Sequence, residues 1–216
     1  MAPDIQAVLF DLDGTLLDSR AQDEEQIRRL LTDILGIKAS KQDISHYYGM
    51  PSQKILEKAA PDRIDELMPV LEDIQRQTAE LTSVFSGILS VVQKLAEAGF
   101  SLAVVTSKTR KELSISRMAY DLPQQINIWI AEDDVPRPKP DPAPILKALD
   151  LLGYLPGEAV MIGDTQFDMQ AGRAAETMIG AALWGQVDQD RLISFNPEFI
   201  FNSPEEMEQL IKWKKN

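Results

Sequence analysis

The chain has 216 residues, 44% hydrophobic and 26% charged, which suits one ordinary domain or a core domain carrying a smaller insertion. Its formal net charge of −12 argues against nucleic acid and anionic membranes as partners, because both are bound mainly by neutralising phosphates with Lys and Arg. Cysteine is absent, which excludes disulfides, thiolate metal sites and a cysteine nucleophile.

The opening MAPDIQ is acidic where a secretory signal is basic and then apolar. No later apolar run reaches the roughly 20 residues of a bilayer span, so a cytoplasmic location is expected. Ile5 to Phe10 is a short apolar run that ends in Asp-Leu-Asp-Gly, the pattern of a buried strand followed by a turn. From Leu16 to Val84 only helical signals follow. Ser19 and Gln22 have the spacing of a capping box, and Ile27, Leu30, Leu31, Ile34 and Leu35 recur at helical spacing up to Gly36. Short helices are predicted over Lys41–Tyr48 and Ser52–Ala59. A longer one through Ile64, Leu67, Met68, Leu71 and Ile74 should be kinked or divided by Pro69.

After Val84 the chain alternates. Ile88 to Ala98 is an amphipathic helix stopped by Gly99, and Ser101–Thr106 is a strand. Ile126–Ile130, Ala159–Ile162 and Met178–Leu183 repeat the strand pattern, with Phe199–Phe201 as an edge strand. Asp141 and Pro142 open a helix that ends before Gly153, and Ser203 with Glu206 has the form of a capping box for the last helix. Strands alternating with helices predict an α/β fold with a doubly wound parallel sheet. The expected division is a core of residues 1–15 and 84–216 and an inserted helical cap of residues 16–83.

Ligands of such sheets bind beyond the carboxyl ends of the strands. Those ends carry Asp11, Asp13 and Thr15, then Thr106, Ser107 and Lys108, then Lys139, then Asp164 and Asp168. Carboxylates gathered at one edge repel one another and call for a hard cation. Magnesium suits, since it takes oxygen ligands and bridges to phosphates. A carboxylate beside a cation and an ammonium can then approach a phosphoryl dianion.

FDLDGTLLDS (Phe10–Ser19), VVTSK (Val104–Lys108), PRPKPDP (Pro136–Pro142) and MIGDTQFDMQAG (Met161–Gly172) resemble, in order, the four motifs of the haloacid dehalogenase-like hydrolase superfamily. The position of the insertion is similar to its helical-cap class, which includes phosphoglycolate phosphatase-like, pyrophosphatase-like and β-phosphoglucomutase-like members. The resemblance implies a Mg2+-dependent phosphatase acting on a small phosphorylated metabolite. Asp11 would be the nucleophile that forms an aspartyl-phosphate, and also a metal ligand. Asp13 would be the general acid and base, with its backbone carbonyl on the metal. Thr106, Ser107 and Lys139 would bind the phosphate, Asp164 would complete the metal ligands, and Asp168 would stand behind them, orienting water or Lys139. Ser107 departs from the Asn that many relatives carry. Thr15 favours a phosphatase, because the mutases typically carry Val or Ile there. A non-catalytic phospho-acceptor is the reading from another class; Asp13, Lys139 and the large helical insertion argue against it. A monomer and a homodimer fit the sequence equally.

Plainer readings stand beside these. Asp-Leu-Asp-Gly is also turn chemistry, Thr106 a β-branched strand end, Lys139 a loop lysine, and Asp168 a first-turn helix acid. An EF-hand fails, because Leu16 and Gln22 stand where its Gly and Glu belong, and no P-loop or dinucleotide motif occurs. His46, the single histidine, and Asp133 and Asp134 read as structural or solvated. Trp129, Trp184 and Trp213 read as packing, with Trp184 close enough to the cleft for a place on its rim. Arg20, Lys54, Lys58, Arg63 and Arg76 read as helix surface, some of them able to face a substrate.

Overall fold

A computed structural model describes residues 4–185 and 189–214. Strand β1 (Ala7–Phe10) leads through a turn into the two-residue β2 (Leu17–Asp18). Four α-helices follow: α1 (Arg20–Arg28), which continues into a π-helical stretch over Arg29–Ile34, α2 (Lys41–Ser45), α3 (Ser52–Ala59) and α4 (Ile64–Gln77). Strand β3 (Ser83–Val84) pairs antiparallel with β2, so the outgoing and returning chains of this helical block lie side by side.

The remainder alternates as predicted: α5 (Ile88–Glu97), β4 (Ser101–Val105), α6 (Arg110–Ala119), β5 (Ile128–Ile130), α7 (Ala143–Leu152), β6 (Ala159–Gly163), α8 (Gln166–Ala174), β7 (Met178–Ala182), α9 (Gln189–Ile193), β8 (Phe199–Phe201) and α10 (Gln209–Lys214). All pairings in the six-stranded sheet are parallel, in the order β5-β4-β1-β6-β7-β8. The central strands are buried on both faces, and their side chains alternate between two cores. Val8, Phe10, Val104 and Ile162 pack against α5, whereas Ala7, Leu9, Ala103 and Met161 pack against α7 and α8. From β1 the chain moves outward to β4 and β5, then returns to β6 on the other side. The order therefore reverses at β1, and clefts for ligands form at such reversals.

The helical block has an apolar cluster of its own, in which Ile27, Leu30, Leu31, Ile55, Leu56, Leu67, Leu71 and Ile74 are buried. It also touches the sheet's helices away from the β2–β3 junction. Ser52 Oγ donates to Glu112 Oε1 at 2.5 Å, Gln75 Nε2 to Glu112 O at 3.3 Å, and Lys111 pairs with Glu72 at 2.8 Å.

Four local expectations are corrected. The Ser19–Gln22 capping box does not form: Gln22 is drawn inward, donating to Gln75 O and accepting from Thr82, and Ser19 Oγ donates to Asp23. These tertiary partners outcompete a local cap. Helix α4 runs undivided past Pro69, so of the kink or division expected there the division does not occur; its apolar face is held by the block's cluster. The helix expected over Lys41–Tyr48 stops at Ser45. Ser203 does not cap the last helix; Glu206 instead accepts the Asn202 N–H, and Pro204–Glu208 is a 3-10 turn before α10.

Candidate active site

Asp11 stands one residue beyond β1 and is 6% exposed. Its Oδ1 accepts the Leu12 N–H at 2.7 Å and lies 2.9 Å from Lys139 Nζ. Lys139, 2% exposed, also donates to Val105 O at 2.9 Å and to Asp168 Oδ1 at 2.6 Å. Burial opposes that ammonium, but Asp11 and Asp168 outweigh it and raise its pKa. Asp168 Oδ2 caps α8 through the Thr165 N–H and Oγ, and its Oδ1 holds Lys139.

Asp164 follows β6 directly and accepts from Thr15 Oγ1 at 3.3 Å. The chain can bring these groups together because residue 14 is glycine. Its φ is +75°, and a Cβ there would overlap the Asp164 carboxylate. Oxygens of Asp11, Asp164 and Asp168 lie within 4.8 Å of one another. Burial, with Asp168 next and Lys139 opposing, pushes Asp11 up to about 7, and burial with Asp11 drives Asp164 well above the usual carboxylate range. A divalent cation would favour the ionised forms of both. With Asp168 already engaged by Lys139 and Thr165, Asp11 and Asp164 are the side chains that fit a hard cation such as Mg2+.

Asp13 lies on the open side, with Lys108 Nζ 3.1 Å from its Oδ2, while its Oδ1 is buried without a hydrogen-bond partner. Thr106 is buried beyond β4, and its hydroxyl oxygen accepts the Lys108 N–H at 3.1 Å. Asp11, Asp13, Thr106 and Ser107 line one cavity of about 80 Å3. The structure thus gathers every sequence-predicted site residue at one sheet edge: four around this cavity, Lys139 and Asp168 buried behind them, and Asp164 in an adjoining cleft.

The far wall comes from the helical block, and the sequence did not single it out. Asp23, Gln26, Tyr47 and Met50 line the cavity beside Lys108 and Glu112. Burial, with Asp13 next and Lys108 opposing, pushes Asp23 up to about 7. For Lys108 burial again opposes the charge, and Asp13, Asp23 and Glu112 overcome it. The only hint in the sequence is that Asp23 and Gln26 lie one turn apart on α1, a spacing that solvated helix faces share. The cavity adjoins a larger cleft of about 570 Å3, lined by Asp13, Asp164, Arg20, His46, Lys58 and Thr165 among others. Arg63 and Arg76 pair instead with Glu66 and Asp73 on the block's surface. Asp133 and Asp134 serve α6, accepting from the Arg110 N–H and its guanidinium. Trp129 is core, and Trp184 braces the first loop by donating to Thr15 O at 3.1 Å.

A family model described as "Haloacid dehalogenase-like hydrolase" matches residues 8–182, from within the strand that Asp11 follows to the end of β7. The chain belongs to that family. A phosphoglycolate phosphatase of Aquifex aeolicus is 32% identical, over 96% of this chain and 97% of that one. The pyrophosphatase PpaX of Anoxybacillus flavithermus is 30% identical, over 91% and 92%. A haloacid dehalogenase-like family hydrolase from Streptococcus pneumoniae matches the fold with a TM-score of 0.81 at 24% identity, over 95% and 98%. The protein is accordingly a haloacid dehalogenase-like hydrolase, similar to proteins named as a phosphatase and as a pyrophosphatase. Among the described residues no helix is long and apolar enough to cross a membrane.

Proposed function

We propose that this haloacid dehalogenase-like hydrolase is a Mg2+-dependent phosphatase, phosphoglycolate phosphatase-like in its reaction, which cleaves a small phosphorylated metabolite through an aspartyl-phosphate on Asp11. One observation carries the reading: two carboxylates with different partners share one cavity, Asp11 against the buried Lys139 and Asp13 against Lys108. Neighbouring carboxyls held in different surroundings take different roles.

In this reading Asp11 attacks phosphorus while Lys139 offsets the charge of the nucleophile and the phosphoryl group. Thr106 and the Ser107 N–H hold phosphoryl oxygens. The bond from phosphorus to the leaving oxygen breaks as Asp13 delivers a proton to that oxygen. Asp13 then takes a proton from water, whose oxygen attacks phosphorus and releases Asp11. Asp11, Asp164 and the Asp13 carbonyl would hold Mg2+, which supplies Lewis-acid neutralisation of the phosphoryl charge. The helical block, residues 16–83, serves as a cap hinged at β2 and β3, whose opening admits the water.

Thr15, where the similar mutases typically carry Val or Ile, supports hydrolysis over phosphoryl transfer between sugar hydroxyls; its hydroxyl donates to Asp164. The test is release of inorganic phosphate from p-nitrophenyl phosphate. Turnover should require added Mg2+, cease in excess chelator and return only weakly with Ca2+, which prefers more ligands and looser geometry. Full turnover in chelator would refute the metal assignment. Conversion of β-glucose 1-phosphate to glucose 6-phosphate with little free phosphate would replace the phosphatase by a mutase.

A further inference from the structure

The reaction proposed above gives no task to Trp184 and Gly185, which follow β7. Trp184 Nε1 donates to Thr15 O at 3.1 Å, and its ring meets that of Phe85 edge-on, with centroids 6.5 Å apart. Phe85 belongs to the chain returning from the helical block, and its N–H donates to Leu16 O at 3.0 Å. The indole is thus fixed against the outgoing and the returning chain together. Gly185 packs so closely on the residue before Thr15 that a Cβ there would overlap Gly14 O. That atom is backbone, so turning a side chain cannot relieve the overlap, and close approach is what requires glycine at 185.

The same two residues, Gly14 and Thr15, carry contacts to Asp164. A Cβ on Gly14 would overlap the Asp164 carboxylate, and Thr15 Oγ1 donates to Asp164 Oδ1 at 3.3 Å. The Asp13 carbonyl is joined directly to the Gly14 nitrogen. Two of the three groups assigned to Mg2+ therefore depend on one turn, and that turn rests on Trp184 and Gly185. Groups that orient metal ligands from behind govern affinity almost as much as the ligands do.

We infer that Trp184 and Gly185 are positioning residues for the metal site: they seat the Gly14–Thr15 turn, and through it the Asp164 carboxylate and the Asp13 carbonyl. This rests on the reading that places Mg2+ at Asp11, Asp164 and the Asp13 carbonyl, and adds what holds two of those groups in place.

The test is calorimetric titration of Mg2+ into the protein without substrate. Trp184→Phe keeps a ring beside Phe85 but loses the N–H, and should weaken Mg2+ binding about fivefold. Gly185→Ala must displace backbone and should weaken it by about tenfold or more. Trp129→Phe is the control, because it loses the same kind of bond, Nε1 to Ile126 O at 2.7 Å, in the core of the sheet domain. It should lower Tm about as much as Trp184→Phe does and leave Mg2+ affinity within about twofold. With p-nitrophenyl phosphate, half-saturating Mg2+ should rise by the same factors. Excess Mg2+ should then restore kcat of Trp184→Phe to within about threefold of the parent, which also shows that this variant folds. Unchanged Mg2+ affinity in Trp184→Phe, or a loss of kcat that excess Mg2+ does not restore, makes Trp184 a packing residue and overturns the inference. If the parent binds Mg2+ and the variants bind it more weakly but no ester is hydrolysed, the reaction falls and the positioning role stands. If the parent binds no Mg2+, the metal assignment and this inference fall together.

Discussion

The sheet edge and the helical block face each other across one cavity but are built on different terms. At the sheet edge, strands buried on both faces hold the backbone, and Asp11, Thr106 and Asp164 each stand one residue past a strand end. In the block, short amphipathic helices pack around an apolar cluster, and the groups facing the cavity come from polar helix faces. The first arrangement ties chemistry to a fixed scaffold. The second lets the surface presented to a leaving group change while the scaffold stays put. The comparison predicts severe losses of rate from changes at the edge, and mild effects where the two regions merely touch.

The largest effect is expected at Asp11. Asp11→Asn keeps the shape but removes the attacking anion, so kcat should fall by about 10^4 or more with folding intact. Near-normal turnover in single-turnover and steady-state assays would remove Asp11 from the reaction. An intermediate effect is expected at the seam, where Glu132 lies beneath Glu112, Asp133 and the block's Lys54 and Glu57. Burial first, then Glu112 and Asp133, push its carboxyl up to about 8, with Lys54 opposing. The folded state holds this proton more tightly than the unfolded chain. Stability is therefore lost as pH rises from the ordinary glutamate value through about 8. Glu132→Gln should be more stable than the parent by about 4–5 kcal/mol near pH 9 and equal to it near pH 4, measured by denaturant titration. A pH-independent difference would mean the carboxyl is not held protonated. The smallest effect is expected for Lys111→Met. Lys111 is 64% exposed in its pair with Glu72, so the change in stability should stay below about 1 kcal/mol and shrink with salt.

The same contrast explains what the sequence made legible. Strand ends followed by Asp, Thr or Lys are visible because a short apolar run and a turn signal fix where the strand stops. Asp11, Asp13, Thr106, Ser107, Lys139, Asp164 and Asp168 could all be named that way. Asp23 and Gln26 could not, because a polar pair one turn apart looks the same whether it faces water or a cavity. Gln22 shows the limit from the other side. Its capping-box spacing is local, yet its bonds run to Gln75 and Thr82, which only the packed block brings near. Pro69 is similar: the packed apolar face of α4 outweighs one missing N–H.

Lys139 has a further consequence. An ammonium has three hydrogens, and here they meet three acceptors belonging to three different segments: Val105 at the end of β4, Asp11 after β1, and Asp168 in α8. The nitrogen therefore works as a gauge of spacing, satisfied only when all three segments stand at their correct separations. Arginine, with a flat fork in place of a tripod, cannot meet the same three oxygens although it carries the same charge. At this position shape rather than charge sets which residue the fold accepts.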